Sequence, residues 1–126
     1  DERTQITVDI IDARVAMRAL EGEWDVCYQD AFSPQTNPIL WTQEYFADVA
    51  RLMGEEGIVT TYSTALSTRL ALYENGFTVY LNTGEGYRNA TIASRRELAD
   101  YEKVDMAHKI ACNPNAQSLR DENLDL

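Results

Sequence analysis

Asp30 follows a run of strand-forming residues, Trp24-Asp25-Val26-Cys27-Tyr28-Gln29, and precedes Ala31-Phe32-Ser33-Pro34-Gln35-Thr36-Asn37-Pro38. A carboxylate at a strand end can accept hydrogen bonds from an amine and hold it for reaction. Phe32, two residues on, can stack on a planar base or brace a pocket. Both residues also have plainer uses: Asp30 can cap the loop through local hydrogen bonds, and Phe32 can join the core. Asp12 stands in a comparable place after Ile6-Thr7-Val8-Asp9-Ile10-Ile11. It can bond an exocyclic amine or a ribose, or serve as the N-cap of the next helix. Ser63 and Thr64 can line a pocket or cap a helix in the same way.

Other chemistry is weakly represented. Cys27 lies mid-strand and reads as core packing rather than a nucleophile. His108, the single histidine, sits in a charged stretch and reads as solvated surface with no cysteine or histidine partner. No spacing suits a metal, and neither a Gly-x-Ser-x-Gly elbow nor a phosphate-binding glycine loop is present. Arg88, Arg95, Arg96, Lys103 and Lys109 fall close together. Glu97, Asp100, Glu102 and Asp105 are interleaved with them, so a mixed, solvated face is the reading.

The elements that must position these residues alternate. Ile6–Ile11 reads as a strand, and Arg14–Leu20 as a short helix stopped by Gly22. Trp24–Gln29 is the second strand, and Asn37-Pro38 marks an irregular loop after it. Thr42 reads as an N-cap with Glu44 in the first turn, opening a helix with Phe46, Val49, Ala50, Leu52 and Met53 on its apolar face. Gly54 and Gly57 read as its end. Ile58–Tyr62 is a strand, and Leu66–Tyr73 a helix capped by Ser63-Thr64 and stopped by Asn75-Gly76. Phe77–Leu81 and Asn89–Ser94 are two further strands, antiparallel across a glycine-containing turn. Residues from about Arg96 read as a short helix near Leu98–Ala111 and a loose tail. Such alternation predicts an α/β fold, a largely parallel sheet with helices on its faces and ligand at the strands' carboxyl ends.

The 126 residues suit one domain, and 44% hydrophobic with 25% charged residues is the composition of a globular chain. No apolar run is long enough to span a bilayer. Two cysteines make no disulfide scaffold, and a reducing cytoplasm is the expected compartment. Eleven basic residues against 21 acidic give a net charge of −10. That excludes a generic nucleic-acid binder, because phosphate affinity comes mainly from Lys and Arg.

The string Asp30-Ala31-Phe32-Ser33-Pro34-Gln35-Thr36-Asn37-Pro38-Ile39-Leu40-Trp41-Thr42 resembles the signature of the MnmC-type, S-adenosylmethionine-dependent methyltransferases. Those enzymes act in tRNA 5-methylaminomethyl-2-thiouridine biosynthesis. Asp12-Ala13-Arg14, Thr61-Tyr62-Ser63, Arg69-Leu70, Gly76-Phe77 and Gly84–Ser94 follow in the family's order, so the resemblance spans roughly residues 5–95. It implies a Rossmann-like methyltransferase sheet and S-adenosylmethionine as cofactor. Asp12 and Ala13 would contact its adenine. Asp30 would hold the acceptor amine beside the sulfonium, with Phe32 against the target base. Ser33, Pro34, Tyr62, Ser63 and Arg88 would line the substrate side. The acceptor would be an aminomethyl-uridine at the tRNA wobble position. A small-molecule amine acceptor and a non-catalytic binding module are the alternatives.

Three departures stand out. Ile11 replaces the family's glycine before Asp-Ala-Arg, and Tyr87-Arg88 replaces Lys-Arg. The family's glycine-rich turn after the first strand, and its acidic residue after the second, have no counterpart ahead of Ile6. The resemblance thus predicts the carboxyl-terminal half of a methyltransferase domain over residues 1–95, lacking two strands, and a charged helix and tail over 96–126. The Ile6–Ile11 strand would then be an open edge inviting self-association.

Overall fold

The computed structural model describes residues 2–124. Its order is α1 (Ala13–Ala19), β1 (Trp24–Gln29), α2 (Gln43–Leu52), β2 (Met53–Thr61), α3 (Leu66–Glu74), β3 (Thr78–Asn82), β4 (Ala90–Ser94), β5 (Glu102–Lys103) and α4 (Met106–Cys112). Single 3-10 turns lie at Pro38–Leu40 and Asp121–Asn123. The sheet order is β1-β2-β4-β3-β5. Among the described residues only β1 and β2 are parallel, and the other three pairings are antiparallel. The largely parallel sheet read from the sequence is therefore corrected to a mixed one. The β3–β4 hairpin inserts its return strand beside β2, so β4 separates β2 from β3.

Local chemistry explains most boundaries. The Thr42 hydroxyl accepts from the Tyr45 amide at 3.1 Å, with Glu44 in the first turn of α2 and Arg51 in the last. The buried face of α2 holds Tyr45, Phe46, Val49, Ala50 and Leu52. Arg95 closes its other end, donating to the Ala50 and Met53 carbonyls at 2.6 and 2.9 Å and lying over the Phe77 ring. A cation there complements the helix dipole and satisfies terminal carbonyls. Asn75 and Gly76 end α3, with Gly76 at φ 88°. Gly54 and Gly57 do not end α2 as the sequence suggested: the helix stops at Leu52 and β2 begins at once. Gly57 serves a close approach instead. A Cβ there would lie 2.9 Å from the Trp24 carbonyl, where β1 and β2 shift register.

Along β2, β4 and β3, alternate residues face opposite sides. Val59, Ala93 and Val79 meet Trp41, Phe46, Val49, Leu70, Leu72 and Phe77 in the main core. Tyr80 and Ile92 turn the other way and pack with Leu98 and Ile58. Residues near Leu98–Ala111 are not one helix: a two-residue strand precedes α4, because Val104 is drawn into the core and its amide donates to the Val79 carbonyl at 2.9 Å. The tail is not loose over its described part. The Gln43 amide donates to the Leu119 carbonyl, Asp121 pairs with Arg14 at 2.8 Å, and Arg120 pairs with Glu74 at 2.9 Å. Hydrogen bonding to Arg14 holds the Asp121 carboxyl below its ordinary range.

Ile6–Ile11 is not a strand here. It makes no ladder, and Ile6, Val8, Ile10 and Ile11 are all exposed, Ile10 by 92%. The sequence carries the β-branched residues a strand wants, but strand formation requires a partner edge. Among the described residues β1 has β2 on one side only, and Trp24, Val26 and Tyr28 are exposed on it. No helix among the described residues is long and apolar enough to cross a membrane.

Candidate acceptor site at the strand ends

The carboxyl ends of β1, β2 and β3 and the start of β4 converge. Tyr28, Gln29, Asp30, Thr60, Thr61, Tyr62, Asn82, Ala90 and Thr91 border one groove of about 300 Å³. A second groove of about 830 Å³ adjoins it, sharing Tyr62 and Ala90 and bounded also by Ser33, Pro34, Ser63, Arg69, Arg88 and Asn89. Ligand at the carboxyl ends of strands is the general rule for open α/β sheets.

Asp30 is exposed at the mouth of the smaller groove. The loop that follows it is held from beneath. Gln29 is buried at the end of β1, donating to the Leu40 carbonyl at 2.7 Å and accepting from the Tyr45 hydroxyl at 3.0 Å. Burial pushes the Tyr45 phenol up to about 12, so it remains the donor in that bond. The Trp41 indole donates to the Ala31 carbonyl at 2.8 Å, and its ring meets Tyr62 edge-on with centroids 5.9 Å apart. Trp41 thus ties the loop after β1 to the end of β2. Ser33 accepts from the Thr36 amide at 3.0 Å, tightening the turn.

Phe32 sits at φ 45°, the single non-glycine residue with positive φ among those described, and its side chain is 77% exposed. A bulky residue in the left-handed region costs of order 1–3 kcal/mol, and such residues cluster at functional sites. The ring is not core, and it borders neither groove. Phe32→Asn, which tolerates this backbone, is expected to leave stability unchanged or raise it by up to about 1 kcal/mol. Urea unfolding checks this, and a loss above about 2 kcal/mol would instead assign the ring a packing role.

The other expected residues divide. Ser33, Pro34, Tyr62, Ser63 and Arg88 come together around the larger groove. Asp12 and Ala13 do not join them: they open α1, and the Asp12 carboxylate accepts from the Arg14 amide at 2.8 Å as an N-cap. Ser63 does not cap α3, whose N-cap is Ala65, although its hydroxyl accepts from the Ala65 amide at 3.3 Å. Cys27 is partly buried, and burial pushes its thiol up, which suits packing. His108 does have a neighbour: Cys112 Sγ lies 3.5 Å from its Nε2, one turn along exposed α4. Among the described residues no group of three or more His, Cys, Asp or Glu could hold a metal ion.

Sequence reading missed Arg69 and Thr91. Arg69 is 9% exposed and its Nε donates to the Thr91 hydroxyl at 3.0 Å. Its signal was available: one arginine set among Leu66, Leu70, Ala71 and Leu72 on a helix is out of place on an apolar face.

A parallel βαβ unit with grooves at its strands' carboxyl ends is the layout of a ligand-binding α/β domain. The chain belongs to the S-adenosyl-L-methionine-dependent methyltransferase family, whose model matches residues 1–97. It is 37% identical over 93 residues to the tRNA 5-methylaminomethyl-2-thiouridine biosynthesis bifunctional protein MnmC of Paraburkholderia xenovorans, covering 74% of this chain and 14% of that protein. Over 124 residues it is 28% identical to the protein MJ0670 of Methanocaldococcus jannaschii, covering 96% of this chain and 35% of the other. The crystal structure of MNMC2 from Aquifex aeolicus superposes with a TM-score of 0.81 at 32% identity, covering all of this chain and 42% of that one. The chain therefore spans less than half the length of each of these relatives.

The family implies S-adenosylmethionine as methyl donor. The donor set here suits one side of it. Asp30 is an exposed carboxylate able to face a cationic sulfonium or an amine, whereas the Asp12 carboxylate is engaged as the N-cap of α1 and borders neither groove.

Proposed function

We propose that this chain is the acceptor-side part of an N-methyltransferase that converts an aminomethyl-uridine to a methylaminomethyl-uridine at the tRNA wobble position. The observation that carries the reading is the exposed Asp30 carboxylate, which shares a strand-end groove with Tyr28 and Tyr62 and begins a loop pinned through Gln29 and Trp41. S-adenosylmethionine, when bound, supplies an electrophilic methyl group. Asp30 orients the acceptor amine towards it and takes the amine's proton, directly or through water. Its negative charge also favours the positive charge that develops on nitrogen. Phe32, exposed two residues further along the same loop, is assigned a face for the target base although its ring borders neither groove. Asp12 and Ala13 at the start of α1 are assigned to the adenine end of the cofactor.

The relatives named for tRNA 5-methylaminomethyl-2-thiouridine biosynthesis support the tRNA acceptor, and with it a cytoplasmic setting. The open side of β1 and the exposed Ile6, Val8 and Ile10 support pairing with further sheet, either the rest of such a domain or a second copy. The test is methyl transfer from labelled S-adenosylmethionine to tRNA carrying the aminomethyl group, by a protein of the relatives' full length that contains this chain. Nucleoside digestion and mass spectrometry should find the label on the wobble uridine. Label on a free amine but not on tRNA would favour the small-molecule acceptor, and label on neither would favour the non-catalytic module.

A further inference from the structure

The larger groove has a property that the methyl-transfer reading does not use. Acidic residues outnumber basic ones 21 to 11 in the chain, yet among the described residues no Asp or Glu borders this groove. Its charged residues are Arg69 and Arg88. Arg69 is nine-tenths buried, and among the described residues no carboxylate lies within ion-pair distance of it. Arg14, Arg18, Arg51 and Arg120 each have such a partner. A guanidinium this far enclosed with no counter-charge beside it, and with its Nη groups opening to the groove, is a ready partner for an anion entering there.

The Arg69 side chain is also aimed. Thr91 Oγ1 donates its proton to the Ser63 carbonyl at 2.6 Å, which leaves a lone pair for the Arg69 Nε at 3.0 Å. The Ser63 hydroxyl in turn donates to Thr68 Oγ1 at 3.2 Å, fixing the turn into α3. Nε is thereby committed, and among the described residues the two Nη groups make no hydrogen bond. Two parallel N–H donors on a fixed plane match two oxygens of a phosphate. Arg88, exposed on the β3–β4 turn at the rim, adds a second cation.

We infer that this groove binds a phosphate group, taken by Arg69 from its floor and Arg88 from its rim, and that the phosphate is a backbone phosphodiester of the nucleic-acid acceptor. The groove adjoins the Asp30 groove through Tyr62 and Ala90, so a strand with its target base at Asp30 would continue over Arg69. This local, acid-free patch lets a chain of net charge −10 meet RNA. The identity of the phosphate as nucleic acid rests on the acceptor reading above, whereas the anion site does not.

The test titrates the chain, followed by its amide NMR spectrum at constant chloride-balanced ionic strength, with uridylyl-uridine, uridine and inorganic phosphate. The expected result is shifts at Ser63, Thr64, Arg69, Ala90 and Thr91, with the dinucleotide binding at least about tenfold tighter than uridine. Arg69→Gln should weaken the dinucleotide by about tenfold or more, and Arg88→Gln by about threefold or more, with Arg96→Gln unchanged. Arg88 is exposed, so its variant carries the test even if Arg69→Gln does not fold. Dinucleotide affinity unchanged in Arg88→Gln and in any folded Arg69 variant would overturn the site. Uridine binding as tightly as the dinucleotide would do the same. Binding of inorganic phosphate alone would overturn the nucleic-acid source. The titration needs no methyl donor, so it can succeed where methyl transfer fails, and fail where methyl transfer succeeds.

Discussion

Asp30→Asn is expected to lower methyl transfer by roughly 10²–10⁴-fold, the usual contribution of a positioned general base. That is about 2.7–5.5 kcal/mol of barrier. The substitution keeps the shape of the side chain and one carbonyl oxygen, so the amine can still be touched. It removes the negative charge and the proton acceptor, both of which matter most when nitrogen becomes cationic. The loss should therefore fall on kcat, with KM for tRNA and for the methyl donor within about threefold of the parent. Stability should move by less than about 0.5 kcal/mol, because Asp30 is exposed and makes no side-chain hydrogen bond or ion pair among the described residues. Steady-state kinetics on tRNA, with an unfolding curve alongside, check both halves. A kcat within about threefold of the parent would remove Asp30 from the chemistry.

The parts of this fold that the sequence disclosed are those governed by local rules. Thr42 and Glu44 announced α2, Asn75-Gly76 closed α3, and the alternation around Val59, Val79 and Ala93 gave three strands of the core. Failures arose where a partner decides. Ile6–Ile11 has strand composition, but no neighbouring strand among the described residues offers it a ladder. Gly54 and Gly57 looked like a helix stop because glycine ends helices. Their real context is a β-bulge against Trp24, a contact made across some thirty positions of chain. At the site, the Asp30 loop was legible because its prolines, Trp41 and Thr42 form one contiguous string. The odd place of Arg69 on an apolar helix face was visible, but its role was not, since that depends on Thr91, 22 residues away on another element. Asp12 shows the reverse case: its capping bond is local and visible, and any ligand contact it makes depends on surfaces beyond α1.

Trp41→Ala is expected to cost about 3–5 kcal/mol, the range for emptying a buried aromatic site. Trp41 is 1% exposed, among the largest side chains fully inside the core, and it contacts both Phe46 and Tyr62 edge-on. Against a total stability of roughly 5–15 kcal/mol for a domain, that loss alone can leave a substantial unfolded fraction at 37 °C. Trp41→Phe separates packing from positioning. It keeps a ring between Phe46 and Tyr62 but deletes the indole N–H, leaving the Ala31 carbonyl without its donor. The penalty should be near 1–2 kcal/mol, so the variant folds. Its loop is then free to move relative to Tyr62, and an ångström of drift at Asp30 can cost about 10²-fold in rate. Activity should fall further than stability does, whereas a purely structural tryptophan would lose both in proportion to the unfolded fraction. Urea unfolding and single-turnover methyl transfer on the same preparations separate these outcomes. A Trp41→Phe enzyme with parental kcat would show that the tie to Ala31 serves folding alone.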